Sequence, residues 1–335
     1  MRTRASVSLL LLLAVAAAWW IWRGVAEPPG PAGVQRVSRT LMGTLWSITV
    51  VDHGRTTAAR AAAEAALQEV GRIEKLMSEW LPDSPISQVN AAAGRNAVKV
   101  PAEVSGLLRR ALEYGARSDG AFDVTWRGMG GIWRFDEQFR VPSAGEVEAA
   151  RKNVDYRAVR AEGDTVALAR PGMAIGLGGI AKGYAVDRAA AVLRQAGFTD
   201  SLVAGAGDIL ASGTKYGAPW RLAVQDPRSE RGQALGTVAV SGAAISTSGD
   251  YERFQMAQGV RYHHIMDPRT GWPARGCISV SVMAPTAEQT DALATTIFVL
   301  GPEKGLALAR ELGVDTFIIG ADGRRYATEG FASLR

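Results

Sequence analysis

Apolar and polar positions change period several times along the chain, and each change marks an element. Between 277 and 284, Ile278, Val280 and Val282 fall on alternate positions, the period of a half-buried strand. Pro285-Thr286 opens a helix with Glu288 in its first turn and Leu293, Ile297 and Leu300 on its core face, and Gly301-Pro302 stops it. Leu67, Val70, Ile73 and Leu76 give an apolar stripe to an alanine-rich helix over 57–77, and further helices are predicted over 102–117, 146–152 and 303–312. Strands are predicted over 37–51, interrupted at Met42-Gly43, and over 220–225, 237–240, 316–319 and 325–327. Glu162-Gly163-Asp164 suits a hairpin, as does Asp322-Gly323. The turn-forming stretch 78–87 holds Trp80, whose ordinary role in a loop is to plug a packing gap. The small residues of 244–251 predict a loop, and no internal repeat is evident.

Composition agrees with a folded body. The chain has 335 residues, 47% hydrophobic and 21% charged, enough to bury a substantial core in one or two domains. Its formal charge of +5 is not concentrated in a Lys/Arg block with interleaved aromatics, so nucleic acid is a poor fit as partner. A single cysteine, Cys277, forms no internal disulfide and leaves the compartment open. The N-terminus is more informative. Arg2 and Arg4 precede an uncharged run over 5–22 and Arg23 follows, the layout of a secretory signal or an uncleaved signal-anchor. At about 1.5 Å per residue such a run just spans a hydrocarbon core. Trp19, Trp20 and Trp22 resemble interfacial anchors more than a mature terminus, which favours a retained anchor over 1–23. A Pro/Gly linker over 24–36 then separates it from an exported body over 37–335.

Candidate chemistry gathers near the C-terminal third. In HIMDPRTG, at 264–271, Asp267-Pro268 followed by Thr270-Gly271 forces a tight turn with His264 just ahead of it. Asp291 and Thr295 are four residues apart on the predicted helix, so a carboxylate and a hydroxyl share one face. Hard oxygen ligands on a rigid element suit Mg²⁺, which keeps waters and shares itself with substrate phosphates. In isolation the same spacing is ordinary for the first half of a helix, and the histidine-bearing turn is what favours a site. Four glycines between 176 and 183 run into another helix, where backbone groups approach a phosphate or metal closely. This is neither a Walker A loop nor a dinucleotide fingerprint. Asp119 and Asp123 around Gly120 make a tight binding turn, although a plain Asp-Gly turn explains the first equally well.

Taken in order, LMGT at 41–44, MSEWLPDSPISQVN at 77–90, SDGAFDVT at 118–125, GGIAKGYAVD at 178–187, AGAGD at 204–208, STSGDY at 246–251, HIMDPRTG and TDALATT at 290–296 closely resemble the FAD:protein FMN transferase family, also called the ApbE or thiamine-biosynthesis-lipoprotein family. The resemblance spans nearly the whole body. It implies an α+β fold of mixed and antiparallel sheets with flanking helices around a flavin cleft, T-fold-like in places. It also implies a Mg²⁺-dependent reaction in which FMN passes from FAD to a Thr or Ser of an acceptor protein and AMP leaves. The family's metal site would fall on Asp291, Thr295 and the Gly179 carbonyl. Its flavin contacts would fall on Met42, Trp80, Ala121, Phe122, Asp123, Lys182 and Met266. His264 matches the family's histidine and is the candidate base; the alternative is that it only caps or packs the turn. The acceptor would be a flavoprotein subunit of a membrane redox complex, and the catalytic domain would face the periplasm from the bacterial inner membrane.

Two departures from the family pattern bear on this. Many members carry Asp where this chain has Gly176, which affects a nucleotide contact, and many carry a lipobox cysteine where this chain has none before Cys277. The second departure strengthens the signal-anchor reading. Two rival functions use the same features: a Mg²⁺-dependent FAD pyrophosphatase giving FMN and AMP, and a flavin-binding protein without turnover.

Overall fold

A computed structural model describes residues 33–230 and 232–334. The 1–23 anchor and most of the 24–36 linker lie outside the described residues, and among the described residues no helix is long and apolar enough to cross a membrane. The folded body starts at Val34, within the stretch expected to be linker, because β1 (Val34–Leu41) pairs along its whole length with β2 (Thr44–Val51). The interruption at Met42-Gly43 is therefore not a break in one strand but a hairpin turn. There φ is 49° at Met42 and 70° at Gly43, the double positive φ whose twist suits two paired strands.

Along the chain follow α1 (Thr56–Met77), α2 (Pro85–Ala91), β3 (Val98–Lys99) and α3 (Ala102–Arg117). After a 3₁₀ segment at Val124–Met129 come α4 (Ala144–Arg151), β4 (Val159–Glu162), β5 (Thr165–Leu168) and α5 (Ala181–Gln195). The strands β6 (Ser201–Gly205), β7 (Asp208–Ser212), β8 (Trp220–Gln225), β9 (Ala234–Val240) and β10 (Ala243–Gly249) are next. Two short hairpins follow, β11 (Phe254–Ala257) with β12 (Val260–His263), and β13 (Met266–Asp267) with β14 (Trp272–Pro273). The chain closes with β15 (Cys277–Ala284), α6 (Ala287–Leu300), α7 (Pro302–Glu311), β16 (Asp315–Gly320) and β17 (Arg325–Ala327).

One eight-stranded antiparallel sheet, in the order β1-β2-β6-β7-β10-β15-β16-β17, carries the molecule. Its two faces are separately covered, as alternation along each strand requires. Ile48, Val50 and Val203 face α1 and α5, which bury Leu67, Val70, Ile73, Val186 and Leu193 there. Further along, Val280, Val282 and Ile318 face Leu293, Ile297 and Phe298 of α6. On the other side Val51, Ile245, Phe317 and Ile319 meet Trp220, Leu222, Val238 and Phe331. The α+β class is as expected, with antiparallel pairing in every sheet of the described residues.

Two local expectations change. Residues 244–249 of the 244–251 stretch belong to strand β10 rather than to a loop, because they are paired with neighbouring strands and their hydroxyls find partners: Ser246 Oγ lies 2.7 Å from Thr290 Oγ1, and Thr247 Oγ1 lies 2.7 Å from Ser281 Oγ. Ile278 does not share a face with Val280 and Val282. A bulge between Cys277 and Ser279 turns it to the opposite side, where it packs near Ile245 and Phe317.

Candidate functional site

Strand registers bring four segments to one end of the sheet. Leu41 is opposite Thr44, Trp46 opposite Gly205, Gly205 and Ser246 both opposite Asp208, and Gly249 opposite Ser279. The 42–43 turn, the 206–207 turn, the end of β10 and the start of β15 therefore lie side by side. Residues 250–276, with both short hairpins and His264, leave the sheet from this same end.

Beneath it α5 and α6 cross at their closest point. Lys182 Nζ lies 2.9 Å from Asp208 Oδ2 and 3.3 and 3.4 Å from the two oxygens of Asp291, and the Gly183 N–H donates to Asp291 Oδ2 at 3.0 Å. Both carboxylates are buried, at 3% exposure for Asp208 and 4% for Asp291. Burial disfavours charge on Lys182, but Asp208 and Asp291 outweigh it and raise the lysine's pKa. Burial raises the pKa of Asp291, with the negative charge of Asp208 adding to this and Lys182 opposing it. When both acids are ionised, two carboxylates against one ammonium leave the cluster one negative charge in excess.

One turn further along α6, Thr295 faces the glycine loop. A methyl built on Gly179 would lie 3.5 Å from Thr295 Oγ1 and 3.2 Å from Phe122, so these three residues are mutual neighbours. Ser248 Oγ is 3.5 Å from Thr295 Oγ1. No cluster of three or more His, Cys, Asp and Glu side chains able to hold a metal forms among the described residues. A hard divalent ion is nevertheless compatible with the donors present: one buried carboxylate, one hydroxyl and a glycine backbone. Such sparse protein ligation suits Mg²⁺, which fills its remaining positions with water and phosphate oxygens.

The two adjacent histidines have different environments. His263 is buried, its Nε2 2.7 Å from the Ala274 carbonyl and its Nδ1 3.3 Å from the Ile265 N–H. A carbonyl only accepts, so Nε2 carries the hydrogen and Nδ1 accepts, which leaves this ring no free site. His264 is exposed, and its Nδ1 lies 3.3 Å from the Arg253 carbonyl, which also accepts the His264 backbone N–H at 3.1 Å. By the same logic Nδ1 carries the hydrogen and Nε2 keeps a free lone pair. Desolvation by surrounding protein lowers the pKa of His264, the hydrogen bond to the Arg253 carbonyl opposes this, and the charges of Arg253 and Lys182 add to the lowering. The imidazole is thus neutral at pH 7 and able to accept a proton.

The remaining expected contacts are distributed around this end. Met42 sits in the hairpin turn and its N–H donates to Glu74 Oε1 at 2.8 Å. Trp80 is no packing plug: it is 68% exposed, with the Arg127 guanidinium 4.4 Å from its ring centroid. Ala121 is buried against the α6 cluster. Asp123 accepts from the Thr125 N–H and hydroxyl at 2.7 and 2.5 Å and from the Tyr156 N–H at 2.9 Å, so its carboxylate holds the start of the 3₁₀ segment. Met266 is half-buried beside the Met129, Trp133 and Val147 cluster.

Gly176 is explained by a neighbour. A methyl there would lie 2.9 Å from the Trp126 ring, whose Nε1 donates to the Gly176 carbonyl at 3.0 Å. The indole occupies the space a side chain would need. Sequence reading also left Asp208, Ser248 and Trp126 without roles, although Asp208 and Ser248 stand inside quoted motifs and only their partners were missing.

Comparison with known proteins agrees with this architecture. The ApbE family model matches residues 42–318. An FAD:protein FMN transferase of Treponema pallidum is 35% identical over 92% of this chain and 91% of its own length. Among solved structures, an ApbE protein from Thermotoga maritima superposes with a TM-score of 0.82 at 34% identity, covering 90% of this chain and 99% of that one. The flavinyl transferase ApbE of Pseudomonas stutzeri, in its apo form, gives a TM-score of 0.80 at 31% identity, with coverage of 90% and 96%. With a family match across most of its length and relatives alike in both sequence and fold, this chain belongs to the ApbE family.

Proposed function

We propose that the chain transfers FMN from FAD to a Ser or Thr hydroxyl of an acceptor protein and releases AMP. The observation that carries this reading is the cluster of half-buried Lys182 with the buried Asp208 and Asp291 beside Thr295 and the glycine loop, in a family whose curated relatives are named FAD:protein FMN transferase. In the reaction an acceptor O–P bond forms, the P–O bond to AMP breaks, and the hydroxyl proton passes to Nε2 of His264. The Arg253 carbonyl fixes the tautomer that leaves Nε2 free. Asp291, Thr295 and the Gly179 carbonyl would hold Mg²⁺, which when bound would offset pyrophosphate charge. Lys182 would hold Asp208 and Asp291 in place through its ion pairs. Met42, Trp80, Ala121, Phe122, Asp123, Lys182 and Met266 would line the flavin side, with the exposed Trp80 ring offering a stacking surface.

The uncharged run over 5–22 supports retention at the bacterial inner membrane, with the body in the periplasm and a flavoprotein subunit of a membrane redox complex as acceptor. The deciding experiment incubates the body with FAD, Mg²⁺ and a tagged acceptor domain bearing a flavinylation site. An acceptor mass gain of one FMN together with free AMP supports transfer. AMP with free FMN and an unmodified acceptor favours the hydrolase, and bound FAD without either product favours flavin binding alone.

A further inference from the structure

The β11–β12 hairpin is tied to the body on one face, and its other face is exposed beyond the buried base at His263. Tyr262 stacks on Trp133 with ring centroids 5.7 Å apart and also meets Phe139 at 6.0 Å, which ties one face to the body. Pairing of Met256 with Arg261 and of Phe254 with His263 places all four on the other face, where His263 is buried at the base and Phe254, Met256 and Arg261 extend beyond it. Met256 is 54% exposed and Phe254 36%, with the Arg261 guanidinium 3.8 Å from the Phe254 ring centroid.

At the foot of this face is a cavity of about 230 Å³ lined by Arg228, Arg261, Arg275 and Asp250. Asp250 is consumed by Arg228 through two hydrogen bonds of 2.7 and 2.8 Å. That leaves Arg261 and Arg275 without an opposing carboxylate. Arg275 is exposed and has no hydrogen bond or ion pair among the described residues, and the same is true of the Arg253 side chain beside the hairpin. Glu252 is the remaining acid of this neighbourhood and has an interaction of its own. Exposed Met and aromatic surface beside unpaired arginine is the composition of a protein interface rather than of an ordinary solvated edge.

The hairpin leads straight into His264, whose backbone N–H and Nδ1 both bond the Arg253 carbonyl at the hairpin's other end. The two ends of the hairpin are thereby joined at His264, so a partner seated on the exposed face lies against the same segment that carries this histidine. We infer that this face and its arginine-lined cavity form the docking surface for the acceptor protein, taking an acidic, partly apolar patch of the acceptor; the inference rests on the transferase reading. Carboxylates would enter beside Arg261 and Arg275 while Phe254 and Met256 cover apolar acceptor surface.

The test uses the full chain and a fluorescein-labelled peptide carrying one Thr, several Asp and Glu residues and two leucines, with an Asn/Gln counterpart as control. Anisotropy at low salt should show preferential binding of the acidic peptide. Binding should weaken at least about tenfold in Arg275→Glu and Arg261→Glu, and a Lys-containing peptide should recover binding to Arg275→Glu. FAD binding, followed by flavin fluorescence, should stay unchanged in both variants. Equal binding of acidic and neutral peptides, or of the acidic peptide to wild type and variants, overturns the inference. So does loss of binding to phosphatidylglycerol vesicles in Arg275→Glu with peptide binding intact, which would assign the face to lipid headgroups. Absence of FAD binding by the wild type would instead sink the transferase reading, whatever the peptide does.

Discussion

Gly183 donates its backbone N–H to Asp291 Oδ2 at 3.0 Å across a helix crossing so close that a methyl on Gly183 would fall 2.0 Å from the Ala287 carbonyl oxygen and 2.8 Å from Asp291 Cβ. The contact forces α5 and α6 apart if any side chain is added. Gly183→Ala should therefore cost about 1–3 kcal/mol or more of stability and displace Asp291 from Lys182. Urea unfolding measures the first effect, and AMP release across a Mg²⁺ titration measures the second. Full stability with normal metal dependence would mean that the crossing is looser than its geometry indicates.

Asp291→Ala removes the carboxylate nearest Thr295 and leaves Lys182 with Asp208 alone. Mg²⁺-dependent turnover should disappear while FAD still binds. Unchanged AMP release across the titration would sink the metal assignment.

His264→Ala should slow transfer on the order of 10²-fold or more at saturating FAD, with FAD affinity retained, as loss of a general base does. Because the histidine's pKa is lowered, the acid limb of kcat/KM should lie below the ordinary imidazole range, with a flat profile from pH 7 to 8. A limb at or above the ordinary value would separate the rate from this residue. Stability should show the same sign at His263, whose pKa burial lowers. The unfolded chain then binds more protons than the folded one near and below the unfolded value of about 6.5, so stability is present above it and declines as pH falls below it. Thermal melts of wild type and His263→Gln between pH 7 and 5 check this: the variant should lose part of the slope.

Gly176→Asp would drive a side chain into the Trp126 indole and should destabilise the protein by about 1–3 kcal/mol. Adding Trp126→Ala opens that space, so the double variant should be more stable than the sum of the two single effects predicts. Strict additivity in denaturant midpoints would show that indole and glycine are not a coupled pair.

Local rules accounted for much of this architecture. The stripe of Leu67, Val70 and Ile73 gave α1, the Thr286 cap and Gly301 stop bounded α6, and the Asp267–Gly271 turn closed as its residues demanded, with the Gly271 N–H 2.8 Å from the Asp267 carbonyl. Each depends on side chains within a few positions of one another. The motifs likewise marked which residues carry chemistry, because residue type and order are sequence properties.

Everything that depended on distant partners waited for the fold. The sequence alone determined that Met42-Gly43 interrupts a strand pattern, but pairing of β1 with β2 decided that it is a hairpin turn. It supplied the serines and threonines of β10, but neighbours on both sides decided that they form a strand. Asp187 shows the same separation: it caps the α6 N-terminus through the Ala287 and Glu288 N–H groups at 2.8 and 2.9 Å, from the neighbouring helix. Which of two adjacent histidines keeps a free nitrogen was decided by the Ala274 and Arg253 carbonyls, and the charge state of Lys182 by Asp208 and Asp291. Periodicity and turn chemistry act over a few residues, whereas burial, hydrogen-bond satisfaction and electrostatic coupling exist only once segments far apart in the chain are packed together.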